Sequence, residues 1–276
     1  MNQAAAFKII VEQANEGELV FPTNVEASLT IQQALDDPDC SLEAASRLVM
    51  TEPLLSARVV AVANSVAYSR FGSGVTSIRT AITILGFRTL RSLVAAVVMR
   101  QLSLSVKIKP VRQQLDQLWQ HSAHTAAWAH AIARHICKSD AETALFAGIV
   151  HEVGNFYLLS RLSEYPSLDH ELHGPLEADL QISLNRAVLQ RLMVPKPVLQ
   201  AIEALWQDLQ VLPPETLGDT LKLANLLATV ASPLDTAANH CSGVAPEFTV
   251  GSLNFSHWCE QVQPELISLR QALLQG

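Results

Sequence analysis

The chain has 276 residues, of which 49% are hydrophobic and 16% are charged, so it is long and apolar enough to bury a large core. Its 26 acidic and 19 basic residues give a net charge of −7, and no basic tract is present that could neutralise the phosphates of a nucleic acid. We therefore expect no nucleic-acid partner for this chain.

The sequence also carries no targeting or membrane signal that we recognise. The N-terminal segment MNQAAAFKIIVEQANEGE lacks the basic region and the apolar region of a secretory signal. The best apolar run, Ser92–Met99, is bracketed by two arginines and is too short to span a bilayer. Four cysteines are scattered without a Cys-x-x-Cys spacing. These features predict a cytoplasmic protein with reduced thiols and no membrane association.

Apolar residues recur at three- and four-residue spacing along almost the whole chain, which predicts an all-α fold. In the first half, the predicted helices are Gln3–Glu16, Glu26–Leu35, Ser41–Met50, Pro53–Asn64, Ser77–Leu85 and Arg88–Ser103. Asn64 and Ser65 end a helix and are expected to bond its free carbonyls and lead the chain into a glycine-containing loop. Gly86 is expected to adopt a positive φ at the break between the last two helices.

The second half continues the same helical periodicity. The predicted helices are Val111–Cys137, one that follows a capping box at Ser139 and Glu142, then Asp179–Leu192, Lys196–Leu209, Thr216–Ala231 and Ser256–Leu274. Gly154 is expected to interrupt the second of these, and Val244–Leu253 is interpreted as a loop. The connector Val106–Pro110 divides two packed helical bundles, an N-terminal one over residues 1–107 and a second one with a C-terminal helical extension over residues 108–276.

A His-Glu pair interrupts the apolar stretch ALFAGIVHEVGNFYLL over residues 144–159. His151 and Glu152 are costly to bury without partners, so they indicate a metal site or the remains of one. His121 and His124 share one face of the preceding helix. His130 and His135 follow on that helix and are expected in solvent or at the edge of the core.

Several spaced motifs resemble the HDOD domain, the HD-related output domain of bacterial signalling proteins, which is a degenerate branch of the HD phosphohydrolase superfamily. The resemblance covers about residues 18–210. Its motifs are Phe21-Pro22, Asp37-Pro38, Glu52-Pro53-Leu54-Leu55, Ala63-Asn64-Ser65 and Ala81-Ile82-Thr83-Ile84-Leu85-Gly86. The resemblance implies that the second bundle is HD-like and that the chain acts through protein contacts in signal transduction.

The resemblance also implies which residues occupy the HD metal positions. Active HD phosphohydrolases use an early His, a His-Asp pair and a late Asp, and this chain has His121, His151-Glu152 and Asn225 at the matching positions. Asn155 stands where active members commonly have a Lys. The site is therefore expected to be degenerate and non-catalytic, with no cofactor beyond a weakly bound divalent transition metal at His121, His151 and Glu152. The alternative from the residues themselves is a hydrogen-bonded polar cluster in a helical core.

The loop Tyr68–Gly74 is the candidate partner surface, because Tyr68, Arg70 and Phe71 are residue types enriched at binding hot spots. The alternative is that Tyr68 and Phe71 only attach the loop to the bundle. We expect a non-catalytic module that binds unidentified signalling proteins. The rival hypothesis is a metal-dependent HD-type phosphohydrolase that acts on nucleotides or related phosphates. The sequence leaves the oligomeric state open.

Overall fold

The computed structural model of the chain describes residues 3–17, 19, 21, 23–68, 74–162, 164–165, 178–206, 211–234, 247–251 and 253–275. Within these ranges the secondary structure is helical apart from one short hairpin, which confirms the all-α prediction. The elements are α1 Gln3–Asn15, α2 Thr23–Asp36, α3 Leu42–Met50, α4 Pro53–Ala63, α5 Ile78–Ser105, α6 Lys109–Ile132, α7 Ala141–Val150, α8 Val153–Leu162, α9 Ala178–Arg191, α10 Lys196–Ala204, α11 Leu217–Leu227, β1 Thr249–Val250, β2 Leu253–Asn254 and α12 Phe255–Leu274.

The helix α5 is bent where the sequence predicted a break. Gly86 has φ 75°, in the left-handed region that favours glycine, and the two predicted helices run on either side of it as one kinked element. By length and composition α5 is apolar enough to cross a membrane, but 67% of its most apolar window is buried inside the fold. It packs against α2, α3, α4, α7 and α8, which is the environment of a core helix.

Asn64 shapes the loop that follows α4, as the sequence predicted. Its Nδ2 donates to the carbonyls of Val60 and Val75 at 2.9 and 2.8 Å, and its Oδ1 accepts from the amides of Gly74 and Val75 at 3.0 and 2.9 Å. One amide side chain therefore closes the helix end and joins the two sides of the loop, which fixes where the loop leaves and rejoins the bundle.

The helix termini of the second half differ from the predictions in two places. The N-cap of α7 is Asp140, whose carboxylate accepts the amide of Thr143 at 3.2 Å, and not Ser139. The helix is also interrupted by a turn at His151 and Glu152, not at Gly154. Gly154 lies inside α8, where an added Cβ would stand 2.8 Å from the Cα of Asn185 and nearer still to its amide oxygen. Close packing, and not a chain break, requires glycine at that position.

Two further segments differ from the sequence predictions. The long helix predicted over Val111–Cys137 changes to a π-helical turn over Ala133–Cys137 and stops at Lys138, which has φ 52°. The segment Val244–Leu253, interpreted as a loop, contributes to an antiparallel hairpin in which β1 pairs with β2. Gly251, with φ 63°, supplies the positive φ that a tight hairpin turn needs.

The helices of the two predicted bundles share one continuous buried core. Helix α5 packs on α7 and α8, α1 packs on α8 and α9, and α4 packs on α12. Arg58 of α4 is fully buried, donates to the backbone carbonyl of Gln275 at 3.2 Å, and lies over the ring of Trp119 at 5.3 Å. The positive charge of Arg58 at this point stabilises the C-terminus of α12, where the helix dipole is negative. The division between residues 107 and 108 stays a prediction.

The close approach of α6 and α7 allows a test of the packing that supports the candidate site. A Cβ added to Gly148 would lie 2.8 Å from the backbone nitrogen of Ala126 and nearer still to its Cα. Gly148→Ala should therefore push the two helices apart and lower the free energy of unfolding by about 1–3 kcal/mol. Urea unfolding measures this change.

The matched control is Gly218→Ala, where the added Cβ would meet only the Cβ of Ala204 at 3.0 Å among close contacts. The free energy of unfolding of this variant should stay within about 1 kcal/mol of that of the parent. Alanine has a higher helix propensity than glycine, and only the methyl group of Ala204 has to shift to make room. Equal stability of the two variants would contradict the close packing of α6 on α7.

Candidate metal centre

The structure brings together the three residues that the sequence assigned to an HD-type centre. His121 projects from α6, while His151 and Glu152 form the turn between α7 and α8. The Nε2 atoms of the two histidines are 3.3 Å apart. The three side chains each offer one ligand atom, and these three atoms all lie within 4.8 Å of one another. Their side chains are buried, with residue exposures of 1%, 4% and 7%.

Backbone carbonyls fix the tautomer of both imidazoles. The Nδ1 of His121 lies 2.8 Å from the carbonyl oxygen of Val230, and the Nδ1 of His151 lies 2.8 Å from that of Gly148. A carbonyl only accepts, so both Nδ1 atoms carry the proton. The Nε2 atoms of the two rings then face each other, an arrangement that a shared proton or a cation would stabilise.

Glu152 supplies the negative charge of the cluster. Its Oε1 lies 4.0 Å from Nε2 of His121 and 3.9 Å from Nε2 of His151, while its Oε2 accepts from Nδ2 of Asn155. The Oδ1 of Asn155 in turn accepts from Nε2 of Gln181 at 3.1 Å. Asn155, which the sequence analysis treated only as the loss of a phosphate-binding Lys, therefore orients the carboxylate from the opposite side.

Asn225 of α11 faces the same cluster. Its amide interacts with the ring of His151, and its Oδ1 is buried without a hydrogen-bond partner in the described part of the chain. A buried amide oxygen without a partner is uncommon in folded proteins, since its desolvation is left uncompensated. All four residues that the resemblance assigned to the degenerate site thus meet at one place.

Burial lowers the pKa of His151 and of His124. Burial, followed by the neighbouring His121, lowers the pKa of His151 to about 3. Burial and then Arg270 lower the pKa of His124 to about 4; its Nδ1 bonds the hydroxyl of Thr229 at 2.9 Å, and its Nε2 lies 3.1 Å from Nη1 of Arg270. The imidazole of His151 is therefore in the form that can ligate a metal ion.

The donor set fits one transition-metal ion. With metal–nitrogen bonds of about 2.1 Å, neighbouring ligand atoms of a tetrahedral site lie about 3.4 Å apart, close to the 3.3 Å between the two Nε2 atoms. The carboxylate of Glu152 would have to approach by about half an ångström. Two imidazoles favour zinc, iron or nickel over magnesium, which prefers oxygen ligands.

A strap formed by Ala228–Ala231 crosses this cluster. The predicted helix Thr216–Ala231 is wrong at its end, because α11 stops at Leu227 and Ala228 has extended geometry. The Val230 carbonyl bonds His121, and Nε2 of Gln117 donates to the carbonyl of Ala231 at 2.9 Å. Residues 228–231 contain no glycine or proline, so helical periodicity alone carried the prediction on to Ala231.

Of the three candidate partner residues, the structure describes Tyr68; Arg70 and Phe71 lie outside the described residues. The hydroxyl of Tyr68 donates to Oε2 of Glu142 at 2.6 Å, and its ring lies 5.6 Å from that of His130. Tyr68 thus attaches the start of the loop to the bundle, as the alternative interpretation proposed. Its role in partner binding stays a prediction.

His130, which was expected in solvent or at the core edge, is buried at 1% exposure between two carboxylates. Its Nε2 lies 3.7 Å from Glu142 of α7, and its Nδ1 lies 3.5 Å from Glu265 of α12. Burial alone would lower the pKa of His130, but the two carboxylates outweigh burial and raise it. Burial alone would raise the pKa of Glu265, but its interactions with His130 and His135 lower that pKa to about 2.

The comparison with known families agrees with the motifs. The profile of the HDOD domain matches residues 21–178, which is more than half of the chain. The chain belongs to the HDOD family. No curated protein matches this HDOD chain.

Solved structures share the fold of this HDOD chain over nearly its whole length. A protein from Shewanella amazonensis SB2B, provisionally named a metal-dependent phosphohydrolase, is 21% identical, with 98% of this chain and 99% of that one covered and a TM-score of 0.66. An HDOD domain protein of unknown function from Geobacter sulfurreducens is 19% identical, with 96% and 97% covered and a TM-score of 0.58.

A third structure is that of a protein from Marinobacter aquaeolei VT8, provisionally named a signal transduction protein. It is 19% identical, with 98% of this chain and 65% of that chain covered and a TM-score of 0.53. At these identities the likeness shows the fold.

The His130 network predicts a pH dependence of the stability of this HDOD chain. The folded pKa of His130 lies above its unfolded value of about 6.5, so its contribution is complete below pH ~6.5 and is lost as the pH rises through the folded pKa. The folded pKa of Glu265 lies below its unfolded value, so its contribution is complete above pH ~4.5 and is lost as the pH falls toward about 2. The stability difference between the parent and Glu265→Gln should therefore be largest between pH ~4.5 and ~6.5.

Urea unfolding at several pH values measures that difference. The control is Glu260→Gln, an exposed glutamate on the same helix whose side chain is 77% accessible, and it should leave the profile unchanged. A difference for Glu265→Gln that does not vary with pH would contradict a protonated His130 between two carboxylates.

Proposed function

We propose that this HDOD chain is a non-catalytic regulatory module of bacterial signal transduction that acts by binding a protein partner. Family membership supports the signalling role. The single observation that carries the non-catalytic part is the closed state of the site: His121, His151 and Glu152 are buried beneath the strap Ala228–Ala231. Hydrolysis at a metal needs a ligand position open to water and substrate.

The residues around the site support the same conclusion. Asn225 replaces a carboxylate that would add charge to a metal site, and Asn155 stands where active members of the superfamily commonly have a phosphate-binding Lys. Arg270, whose guanidinium comes near this region, is engaged with His124. Within the part of the chain that the structure describes, Asn225 and Asn155 would therefore give a phosphate ester less metal charge and one cation fewer than an active member of the superfamily.

The rival function is a metal-dependent phosphohydrolase, which the facing Nε2 atoms of His121 and His151 favour. The Shewanella amazonensis protein, whose name carries this activity, has the same fold. A metal ion held by His121, His151 and Glu152 would supply Lewis acidity to a bound water. In this chain the carboxylate of Glu152 would neutralise part of the ion's charge, and the two imidazoles would orient it.

The two functions separate in a hydrolysis assay. The purified protein should not hydrolyse nucleotides, cyclic dinucleotides or bis-(4-nitrophenyl) phosphate with Mn²⁺, Mg²⁺ or Fe²⁺, because His121, His151 and Glu152 are buried. The control is the variant His151→Ala, checked for folding by circular dichroism. Hydrolysis by the parent that is lost in His151→Ala would establish the rival function.

The loop over residues 69–73 is proposed as the partner surface, because it carries Arg70 and Phe71 in a glycine-containing segment whose two sides Asn64 joins. The double substitution Arg70→Ala with Phe71→Ala should weaken binding of the partner recovered by pull-down about tenfold or more, because hot-spot residues contribute over about 1.4 kcal/mol.

The control for that experiment is Arg112→Ala, which removes an exposed cation from α6, far along the chain from the loop. It should bind like the parent. Unchanged binding by the folded loop variant would remove this loop as the partner surface and leave the non-catalytic assignment to the hydrolysis assay.

A further inference from the structure

A second group of buried polar side chains surrounds His130, about two and a half turns further along α6 than His121. His130 is 1% exposed, and each of its ring nitrogens faces a carboxylate. Its Nε2 lies 3.7 Å from Oε1 of Glu142 on α7, and its Nδ1 lies 3.5 Å from Oε1 of Glu265 on α12. An ionised carboxylate only accepts, so the ring satisfies both sides only when both nitrogens carry a proton.

Glu142 joins α7 to two other parts of the chain. Its Oε2 accepts from the hydroxyls of Tyr68, which follows α4, and of Thr89 on α5, both at 2.6 Å. Burial favours the neutral acid, but His130 and these two hydroxyls outweigh burial and lower the pKa of Glu142. Glu142 is therefore an anion at neutral pH. Among the described residues, His130 is its one basic partner within 4.0 Å.

Glu265 joins α12 to the π-helical turn after α6. Nε2 of His135 lies 2.9 Å from its Oε2, and Nη1 of Arg134 lies 3.5 Å from its Oε1 while donating to the carbonyl of Ala67 at 2.8 Å. Nδ1 of His130 and Oε1 of Glu265 are buried, and neither has a hydrogen-bond partner in the part of the chain that the structure describes. The attraction across their 3.5 Å separation is therefore needed to offset their burial.

The segment over residues 65–68 is attached to both sides of this group. Its Tyr68 bonds Glu142 on the α7 side. On the α12 side, the amide of Val66 donates to Oγ of Ser268 at 3.0 Å. A change in the separation of α7 and α12 therefore acts on this segment from two directions.

His130 is the buried member of the group whose charge changes near neutral pH. Burial would raise the pKa of Glu265, but His130 and His135 lower it to about 2. Burial, followed by Glu142, raises the pKa of Tyr68, so its hydroxyl keeps its proton. The ordinary pKa of an imidazole is about 6.5, and the two carboxylates raise that of His130 against the opposing effect of burial.

Loss of the proton from His130 leaves one carboxylate opposite a lone pair. A neutral imidazole carries a proton on one nitrogen only, so it can donate to Glu142 or to Glu265 but not to both. The other carboxylate then keeps its charge in a buried place without the cation that balanced it, which is costly. The contact of His130 with α7 or with α12 must therefore lengthen or admit water.

We propose that His130 is a proton-operated bridge between α7 and α12, and that its deprotonation loosens α12 and residues 65–68 from the rest of the fold. The bridge is complete below pH ~6.5 and is lost as the pH rises through the pKa that His130 has in the folded chain. The inference goes beyond the proposed binding role, because it assigns a response to pH and the residue that carries it.

A pH titration of the full chain tests the proposal with two measurements. The imidazole NMR signals of His130, assigned through the backbone of α6, should titrate with a midpoint above pH ~6.5. Amide hydrogen exchange at residues 65–68 and 258–268, corrected for its intrinsic rise with pH, should lose protection by about tenfold or more around the same midpoint. Exchange in α9, which contributes no residue to the bridge, should keep its protection.

Variants that change one charge make the test specific. Glu142→Gln removes an anion beside His130, while its amide oxygen can still accept from Tyr68 and Thr89. The midpoint of His130 and the midpoint of the exchange transition should both move to lower pH, by about one unit. The matched control is His257→Gln on α12, because the side chain of His257 is 59% accessible. It should leave both midpoints unchanged.

Either of two results would overturn the proposal. If His130 does not titrate, or titrates with a midpoint below pH ~6.5, it does not bridge two carboxylates as an imidazolium. If it titrates as expected while exchange at residues 65–68 and 258–268 keeps its protection, the proton does not control the contact of α12. Both measurements use the parent chain, so they stand even where a variant fails to fold. Neither measures partner binding or hydrolysis, so this failure is distinct from failure of the proposed function.

Discussion

Two hydrogen bonds from imidazole rings to backbone carbonyls determine the geometry of the buried centre. Because Val230 and Gly148 accept the Nδ1–H groups of His121 and His151, both Nε2 atoms must turn toward each other. The Gly148 bond comes from within the turn that ends α7, but the Val230 bond comes from a distant segment. The site therefore acquires its orientation only when the strap after α11 lies against α6, which links local helix geometry to the closure of the fold.

Polar side chains of α6 and of the π-helical turn that follows it contact α12. His124 meets Arg270, and His130 and His135 meet Glu265, so that α6 and α12 run antiparallel. Fully buried charges are costly unless they are paired, and each of these groups has an opposite or hydrogen-bonding neighbour. The pairing fixes the register of α12 more specifically than apolar packing could, because a shift by one residue would leave carboxylate and imidazole buried without each other.

The sequence predicts helices well where periodicity and glycine or proline punctuation agree, as at Gly86, and it predicts the role of Asn64 because an amide at a helix end has few alternatives. It fails where tertiary packing decides. Gly154 is required by the approach of Asn185, a residue 31 positions away, and its sequence context resembles that of a helix breaker. The buried state of His130 follows from two carboxylates on other helices, a partnership that the periodicity of one helix cannot reveal. For the buried centre, the family motif predicts which residues come together. It does not predict the hydrogen bond from His121 to the Val230 carbonyl, because that bond depends on where the irregular strap Ala228–Ala231 crosses the helices.

The replaced residues of the HD positions have become structural contacts in this chain. Asn155 connects Glu152 of the turn to Gln181 of α9, and the strap after Asn225 carries the carbonyl that orients His121. These hydrogen bonds join the helices around the centre to one another. A joint of this kind reduces the freedom of the helices that it connects. The proposed binding role would draw on this order, because a surface that is ordered before binding loses less conformational entropy when a partner binds.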